Sequence, residues 1–372
     1  MRYFLLAAAV LAVVLPMAWN VSPTAAATAA PAGVRAPRSA STPPRPAIAL
    51  PRFDVVDLGY FMAREIDERP GLNQYAHVAS WQVVGQTTVD AATVTGEGAM
   101  LIPGTPESSN SFAFGINDGD ELAGIIESRS DIRDTQAFLY RSGSLQILPS
   151  LGGRSAAAKS INKDGVVVGH ALTDGRQMHA VKWKDGQAHD LGALPGGDFS
   201  RAFDVNTHGD IAGEANATSK GRVHAVLWSN GHIHDLGLLH GGTLSSAQAV
   251  NEKRQAVGYA DDGDGGSRAV LFSDGHVTDL GSLGYEPSNA VSINNAGQIV
   301  GSSAVADGKM RAFVWEKGHL YDLNQLIPQE SGWLLLAAYR INAKGQILAY
   351  GFYQGHTHAC LLTPNRGRSP PA

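Results

Sequence analysis

The chain has 372 residues, a formal net charge of −5, 44% hydrophobic residues and a single cysteine, Cys360. Because the charge is mild and forms neither a basic stripe nor an acidic tail, we expect neither nucleic acid nor an anionic lipid surface as a partner. One cysteine excludes an internal disulfide, so packing must supply the stability.

The first thirty residues have the pattern of a secretory signal peptide. Arg2 supplies a positive charge, residues 3–18 are apolar, and Ala25, Ala26 and Ala27 offer small-residue cleavage sites. The apolar run is shorter than the roughly 20 residues that a spanning helix needs, which favours cleavage over the alternative of an uncleaved anchor. We therefore predict a secreted or periplasmic protein that is not inserted in a membrane after cleavage.

The mature chain is predicted to contain one folded domain between two unstructured ends. Residues 31–52 are rich in Pro and Ala and have few large apolar groups, which is typical of a flexible linker. Residues 53–364 form the predicted domain, and residues 365–372 form a Pro-containing tail that we expect to be disordered.

A short motif recurs along the whole domain: an apolar strand ends in Asn, a tight turn follows, and a second strand begins. An apolar residue precedes each of the seven asparagines, Asn73, Asn117, Asn162, Asn206, Asn251, Asn294 and Asn342. Their spacing is between 43 and 48 residues. Since Asn accepts turn geometry and bonds to nearby amides, we interpret these residues as structural turn residues rather than as a ring of ligand contacts.

Each period contains four short strand-like segments. The strand ending in Asn is followed by a segment such as QIVG at 298–301, by an aromatic strand such as AFVW at 312–315, and by a segment ending in DLG, as at 279–281. Turns such as SDG at 273–275 join the last two segments. Four strands joined in this way predict a small antiparallel sheet.

The period and the strand chemistry together predict an all-β, seven-bladed β-propeller with four-stranded blades of about 44 residues. Helical repeats of similar length are disfavoured because the segments are short, β-branched and interrupted by Gly turns. A parallel β-helix remains an alternative. Residues 53–59 resemble a fourth strand without the preceding three, and residues 358–364 resemble a third strand without a fourth, so the termini should pair and close the ring.

The register of the first repeat is open. Asn73 has the expected distance to the next blade, with residues 77–80 as the second strand. Residues 63–67 match the motif better, with residues 82–85 as the partner.

These units resemble the HAF repeat, named for a His-Ala-Phe triplet that opens the aromatic strand. The triplet appears here as HAV at residues 179 and 224 and as HAC at residue 358. The resemblance covers residues 53–364 and implies an exported bacterial repeat protein, of a family without an established activity. The weak first repeat and Cys360 in place of Phe depart from the pattern.

The sequence contains no strong indication of catalysis, cofactors or metal binding. Most of the histidines recur at fixed repeat positions, which favours structural roles over metal ligation, and DDGDGG at 261–266 lacks the spacing of a calcium loop. There is no Gly-x-Ser-x-Gly elbow, Walker loop or sialidase box. Aromatic residues at one repeat position, such as Trp183 and Trp228, are predicted to be core.

The longer connections of each blade should lie on one face of the ring, where a rigid scaffold presents variable side chains. The candidate ligand-binding residues on that face are Arg154, Arg201, His240, Asp261, Asp262, Asp264, Tyr285, Trp333 and His356. We predict a monomeric, non-enzymatic binding module for an unidentified protein or glycan. A propeller hydrolase or lyase with acids on the variable loops, and a purely structural role at the cell surface, are the alternatives.

Overall fold

A computed structural model of the chain describes residues 52–60, 69–84, 88–95, 97–102, 109–128, 134–218 and 221–365. The predicted signal peptide, the linker before Arg52 and the tail after Asn365 lie outside these residues. The described residues are almost entirely strand; they include no α-helix and only two short 3-10 helices, at Leu323–Gln325 and Gln329–Ser331. Nowhere in this part of the chain is there a helix with the length and hydrophobicity that spanning a membrane requires.

Seven four-stranded antiparallel sheets form a ring, which confirms the seven-bladed β-propeller. In blades 1 to 6 the innermost strand comes first in sequence. Blades 1 to 3 contain β2 (Gly71–Leu72), β3 (Val78–Val84), β4 (Thr88–Thr95) and β5 (Gly98–Leu101); β6 (Ser109–Ile116), β7 (Leu122–Ser128), β8 (Thr135–Arg141) and β9 (Ser144–Ile147); and β10 (Gly152–Ile161), β11 (Val167–Thr173), β12 (Met178–Lys184) and β13 (Gln187–Gly192).

The next three blades follow the same order. They contain β14 (Ser200–Val205), β15 (Ile211–Asn216), β16 (Val223–Ser229) and β17 (His232–Gly237); β18 (Ser245–Val250), β19 (Ala256–Asp261), β20 (Ser267–Ser273) and β21 (His276–Gly281); and β22 (Ser288–Ile293), β23 (Ile299–Ala304), β24 (Met310–Glu316) and β25 (His319–Asp322).

Blade 7 closes the ring with strands from both ends of the chain. From the centre outward it contains β26 (Trp333–Ile341), β27 (Ile347–Tyr353), β28 (His356–Asn365) and β1 (Arg52–Tyr60). The antiparallel pairing of β1 with β28 extends from Arg52 opposite Asn365 to Tyr60 opposite His358. This is the predicted closure by the N- and C-terminal strands; β1 is one residue longer at each end than predicted, and β28 begins two residues earlier and ends one residue later.

In blade 1, the structure has Asn73 at the end of the inner strand. Gly71 lies opposite Ala79 and Leu72 opposite Val78, across the turn that follows this asparagine. The competing motif at residues 63–67 falls outside the described residues.

Apolar side chains fill the space between neighbouring blades. Between blades 3 and 4, Val168 and Leu194 pack with Ile211, Val226 and Trp228 in one buried cluster. The aromatic repeat position contributes to such clusters, and the indole of Trp228 donates to the Leu191 carbonyl at 2.9 Å. Each blade therefore buries its faces only against its neighbours.

The repeated asparagines end the innermost strands and bond in two directions. The side-chain carbonyl of Asn162, for example, accepts from the amides of Asp164 and Val166, both at 3.0 Å. Its side-chain amide donates to the backbone carbonyl of Asn206, the equivalent residue of the next blade, at 3.0 Å. All seven asparagines make this second bond, at 3.0 to 3.2 Å, and Asn342 closes the circuit on Asn73.

The antiparallel order gives the ring two different faces. The turns after the asparagines, and the two-residue turns between the third and fourth strands, lie on one face, which we call the turn face. In blades 2 to 6 both residues of the latter turns have positive φ, as at Asn230 (53°) and Gly231 (79°), which is the geometry of a tight hairpin. The connections between the second and third strands, and between blades, lie on the opposite face, which we call the loop face.

Candidate functional site: the central channel

The inner strands of six blades each carry a β-bulge three residues before the asparagine. The flanking residues pair with consecutive residues of the second strand, so one residue is left out of the ladder. The bulged residues are Phe114, Lys159, Phe203, Gln248, Val291 and Tyr339. A bulge re-aims its side chain, and four of these six side chains line a cavity at the centre of the ring.

The repeated glycine of the second strand lies against the bulged strand. A Cβ on Gly258 would be 1.8 Å from the carbonyl oxygen of Ser246, and one on Gly213 would be 2.0 Å from that of Arg201. No side chain fits at such distances. The glycine of the QIVG motif is therefore required by the close approach of the inner strand, and it holds the bulge in place.

The central cavity is lined by six residues that we call the axial cluster: Arg69, Phe114, Lys159, Phe203, Gln248 and Arg340. Its volume is about 20 Å³, which is room for about one water molecule. The side chains thus fill most of the channel at this depth. The cluster combines three cations, an amide and two aromatic rings.

Side chains of the axial cluster bridge different blades. Arg69 of blade 1 is buried, and its Nη1 donates to Oε1 of Gln248 in blade 5 at 3.0 Å, across the channel. Lys159 Nζ lies 4.6 Å from the centre of the Phe114 ring in the neighbouring blade. Such a position over an aromatic face stabilises the ammonium group electrostatically.

An acid in blade 4 interacts with this cluster. Burial raises the pKa of Asp204 above its usual value, and the charge of Arg340 and hydrogen bonds from Val250 and Ser160 only partly offset the effect. Its Oδ1 accepts from Ser160 Oγ at 2.9 Å, and its Oδ2 accepts from the Val250 amide at 3.1 Å. Burial also lowers the pKa of Arg340, which the charge of Asp204 opposes.

Five of the nine predicted loop-face residues lie together around blade 5: His240, Asp261, Asp262, Asp264 and Tyr285. The loop that follows His240 abuts the one that contains Asp262, since a Cβ on Gly263 would be 2.2 Å from the Gly241 carbonyl. Arg268 joins the next loop, with its Nη2 2.7 Å from Glu286 Oε1 and its Nε 3.8 Å from Asp262 Oδ2. We call His240, Asp261, Asp262, Asp264 and Tyr285 the blade 5 loop group.

Two acids of the blade 5 loop group hold the backbone of the loops. Oδ1 of Asp261 accepts from the amides of Thr243 and Leu244, both at 2.6 Å. Oδ1 of Asp262 accepts from the amides of Asp264 and Gly266, both at 3.0 Å. His240 and Asp264 are exposed, and Tyr285 is half-buried.

The other four predicted residues lie elsewhere. Trp333 stacks on Tyr353 with ring centres 4.8 Å apart and packs against the core of blade 7. His356 follows a two-residue turn instead of a long loop. Arg154 is exposed and pairs with Asp134 at 2.5 Å.

Arg201 lies beside the axial cluster. Its guanidinium carbon is 5.4 Å from the centre of the Phe203 ring. Its Nε and Nη2 donate to Oε1 of Glu214, at 2.9 and 2.6 Å, and the Glu214 side chain is only 2% exposed. Removing this arginine would leave a buried carboxylate without its cation.

Histidines at the repeat position of HAF pair with the aspartates of DLG. Nδ1 of His179, His224 and His358 lies 2.8 to 2.9 Å from a carboxylate oxygen of Asp190, Asp235 and Asp57, respectively. Each pair joins the two outer strands of its blade. No group of three or more His, Cys, Asp or Glu side chains in the described ranges is placed to hold a metal ion. The thiol of Cys360 is buried, and burial raises its pKa.

The axial cluster was not among the predicted site residues, although the sequence carries a signal for it. The position three residues before Asn changes from Phe to Lys, Gln, Val or Tyr in blades 2 to 7, while the residue before it is always Ala and the residue directly before Asn is always Ile or Val. Variation at one position of a conserved internal repeat indicates a residue that the scaffold does not need. Reading the segment as a regular strand conceals this, because the bulge cannot be seen in the sequence.

No known protein-family model matches the chain, and no curated protein matches it in sequence. Solved structures do match in fold. YCF48 bound to D1 peptide is 11% identical, with a TM-score of 0.50, and the match covers 88% of this chain and 100% of that one. At this identity the similarity is one of fold alone.

Other similar structures include longer chains. TolB from Acinetobacter baumannii is 12% identical over 75% of this chain, with a TM-score of 0.41. An acylaminoacyl peptidase from Pyrococcus horikoshii is 12% identical over 77% of this chain, with a TM-score of 0.48. The chain spans 60% of the TolB chain and 51% of the peptidase chain.

Proposed function

We propose that this protein is an exported, non-enzymatic interaction module of the HAF-repeat type, which binds a protein or glycan through its loop face. The observation that best supports this is the difference between the two faces. The turn face is built from short turns that repeat the same hydrogen bonds around the ring. The loop face carries connections that differ in length and residue type between blades, as recognition surfaces do.

The blade 5 loop group is the best-supported contact surface on that face. Its acids fix the backbone of adjoining loops, so the exposed side chains of His240 and Asp264 are presented on an ordered framework. Preorganised loops lose less conformational entropy on binding than mobile ones.

A capture experiment with matched variants tests this proposal. The protein is immobilised and exposed to envelope and medium fractions of its source culture, and the retained protein or glycan is compared with that retained by His240→Ala/Asp264→Ala/Tyr285→Ala. We expect this variant to lose the ligand with little change in melting temperature. Arg201 and Trp333 are left intact because their contacts with Glu214 and Tyr353 are structural.

The control changes three exposed side chains of the turn face: Lys163→Ala/His208→Ala/Lys253→Ala. It should retain the ligand. If the control loses the ligand and the loop-face variant keeps it, the binding face has been assigned wrongly.

One observation favours a hydrolase as the alternative. Asp204 is a half-buried acid with a raised pKa at the centre of the ring, and a raised pKa is a property of many general acids. Both of its oxygens, however, accept hydrogen bonds from the protein, and the adjoining cavity has room for about one water molecule. Mass spectrometry of the captured ligand decides the matter: cleavage by wild type but not by Asp204→Asn would establish the enzyme.

A further inference from the structure

The axial cluster gathers positive charge at the centre of a protein whose net charge is negative. Arg69, Lys159 and Arg340 come from blades 1, 3 and 7, and they converge on one cavity, so that the cations outnumber Asp204, the acid that interacts with Arg340. Phe114 and Phe203 form part of the same wall. Cations held in a narrow recess with apolar walls act through a low dielectric, which strengthens their attraction for an anion.

The chemistry of these cations suits a carboxylate. A guanidinium presents a planar fork of donors that matches the two oxygens of a carboxylate, and an ammonium adds a compact point charge. The hydrogen bond from Arg69 to Gln248 and the position of Lys159 over Phe114 fix two of the three cations before any ligand arrives. Preorganised donors cost little to engage.

The size of the recess decides how the carboxylate must be carried. About 20 Å³ holds about one water molecule, so the recess takes only the tip of a side chain, and only when the partly exposed Lys159 and Arg340 side chains shift; it excludes a sugar ring or a nucleotide. In a uronic acid, the carboxylate is attached directly to the ring, so the ring would meet the channel wall first. A glutamate or aspartate side chain carries its carboxylate on a thin, flexible stem that a narrow recess admits.

We propose that the axial cluster binds the side-chain carboxylate of a glutamate or aspartate on a protein partner. This rests on the proposed function and assigns it a ligand class. The loop face supplies the surrounding contacts, and the channel takes one acidic side chain as the anchor.

The test uses a blocked tripeptide, N-acetyl-Gly-Glu-Gly-amide, and its Gln counterpart, titrated calorimetrically into the full chain. The Glu peptide should bind and the Gln peptide should not. Lys159→Met keeps an unbranched side chain that is one atom shorter and uncharged, and it should weaken binding about ten-fold, the effect of losing one charged contact. Lys159→Arg keeps the charge and should restore binding.

Arg154→Met is the matched control, because it removes one exposed positive charge outside the channel. It should bind the Glu peptide as wild type does, and equal melting temperatures would show that all three variants are folded. If Arg154→Met loses the peptide and Lys159→Met keeps it, the channel assignment is overturned.

Competition with other anions tests whether the site is specific for a carboxylate and whether that carboxylate belongs to a protein or to an acidic glycan. Sodium acetate should displace the Glu peptide, and sodium chloride at the same ionic strength should not; equal displacement by chloride would show that no carboxylate site exists. Glucuronate binding as tight as that of the Glu peptide would overturn the choice of a protein partner in favour of an acidic glycan.

The two proposals can fail separately. The loop-face variant His240→Ala/Asp264→Ala/Tyr285→Ala leaves the axial cluster intact and should still bind the Glu peptide. Peptide binding without any captured partner would reject the interaction module alone. Partner capture that is unaffected by Lys159→Met would reject the channel anchor alone.

Discussion

Each repeated asparagine uses its side chain both to form a turn and to join two blades. The sequence predicted the turn, since the spacing of Asn and Gly is a local signal. It did not predict the bond to the next blade, because that bond depends on how closely the inner strands approach around the ring. Asn162 makes both interactions: its side-chain carbonyl accepts from two turn amides, and its side-chain amide donates to the next blade. Among the described contacts, its side-chain amide has no other polar partner.

Asn162→Ala should therefore lower the stability of the fold more than the loss of a typical polar side chain does. The buried Val166 amide would lose its partner, and the buried Asn206 carbonyl would keep only its bond from the Gly209 amide, so we expect the free energy of unfolding to fall by about 2–4 kcal/mol. Urea unfolding measures this. Lys163→Ala, in the same turn but exposed, should change stability by less than about 0.5 kcal/mol.

Asn162→Asp separates the two functions of the side chain. The carboxylate still accepts from the turn amides, but it faces the Asn206 carbonyl without a proton to donate. It should be less stable than Asn162→Ala at neutral pH and recover at about pH 3, where it is protonated. A variant as stable as wild type at neutral pH would show that the bond between blades contributes nothing.

Asp204 and Asp210 should make stability depend on pH in opposite directions. Burial raises the folded-state pKa of Asp204 above the unfolded value of about 3.9, so the folded state keeps this proton to a higher pH than the unfolded chain. Between those two pKa values, the free energy of unfolding falls as pH rises. Asp204→Asn lacks this titration, so its stability relative to wild type should improve from about pH 4 to pH 7.

For Asp210, burial would raise the pKa, but hydrogen bonds from Ser229, Asn206 and Arg254 outweigh it and lower the pKa. Its contribution is therefore present above the unfolded pKa and is lost as pH falls through the folded one. The advantage of wild type over Asp210→Asn should shrink below about pH 4. Denaturant unfolding across this range tests the pair, since the same pH trend in both variants would contradict one of the two assignments.

At the scale of the strand, β28 is the element on which closure depends. It pairs with β27 on one side and with β1 on the other, and Leu362 and Cys360 lie in the buried core of blade 7. Deleting residues 358–365 should lower the melting temperature sharply, because it exposes the edges of two strands. Deleting residues 366–372 removes no strand pairing of the described fold and should leave the melting temperature unchanged.

The inner strand also shows what the sequence could and could not predict. Periodicity predicted the number, order and closure of the blades, because each blade repeats the same local pattern of apolar residues and turns. The bulge could not be predicted in this way. In a regular strand, the positions of Lys159 and Gln248 would be assigned to the core or to the surface, and not to the channel. The position of Arg69 in the channel was harder still to predict, because its hydrogen-bond partner Gln248 is 179 residues away in sequence.

The loop-face prediction combined sequence with topology, and the structure divides its residues by role. The blade 5 loop group comes together because its loops adjoin. The sequence predicts Arg201 and Trp333 as exposed ligand contacts. In the structure, Arg201 pairs with the buried Glu214 and Trp333 stacks on Tyr353. Such partners are set by strand register, as with Arg201 opposite Glu214, and the composition of a loop does not reveal them.

At the scale of the molecule, the closed ring should unfold as one unit. A linear repeat array can lose its end repeats first, because they have one neighbour instead of two. Here the β1–β28 pair and the circuit of asparagine bonds give every blade two neighbours. Urea unfolding followed by tryptophan fluorescence and by far-ultraviolet circular dichroism should give coincident transitions, and separated midpoints would contradict this.

The pairing of β1 with β28 also sets the order of events on the ribosome. Asp57 contacts His358, 301 residues later, so the first strand has no partner until those residues have been synthesised. Six blades can form in the meantime, but the seventh cannot. A nascent chain that is truncated in blade 7 therefore carries an unpaired strand edge at each end. Two such chains can pair these edges with each other and so associate.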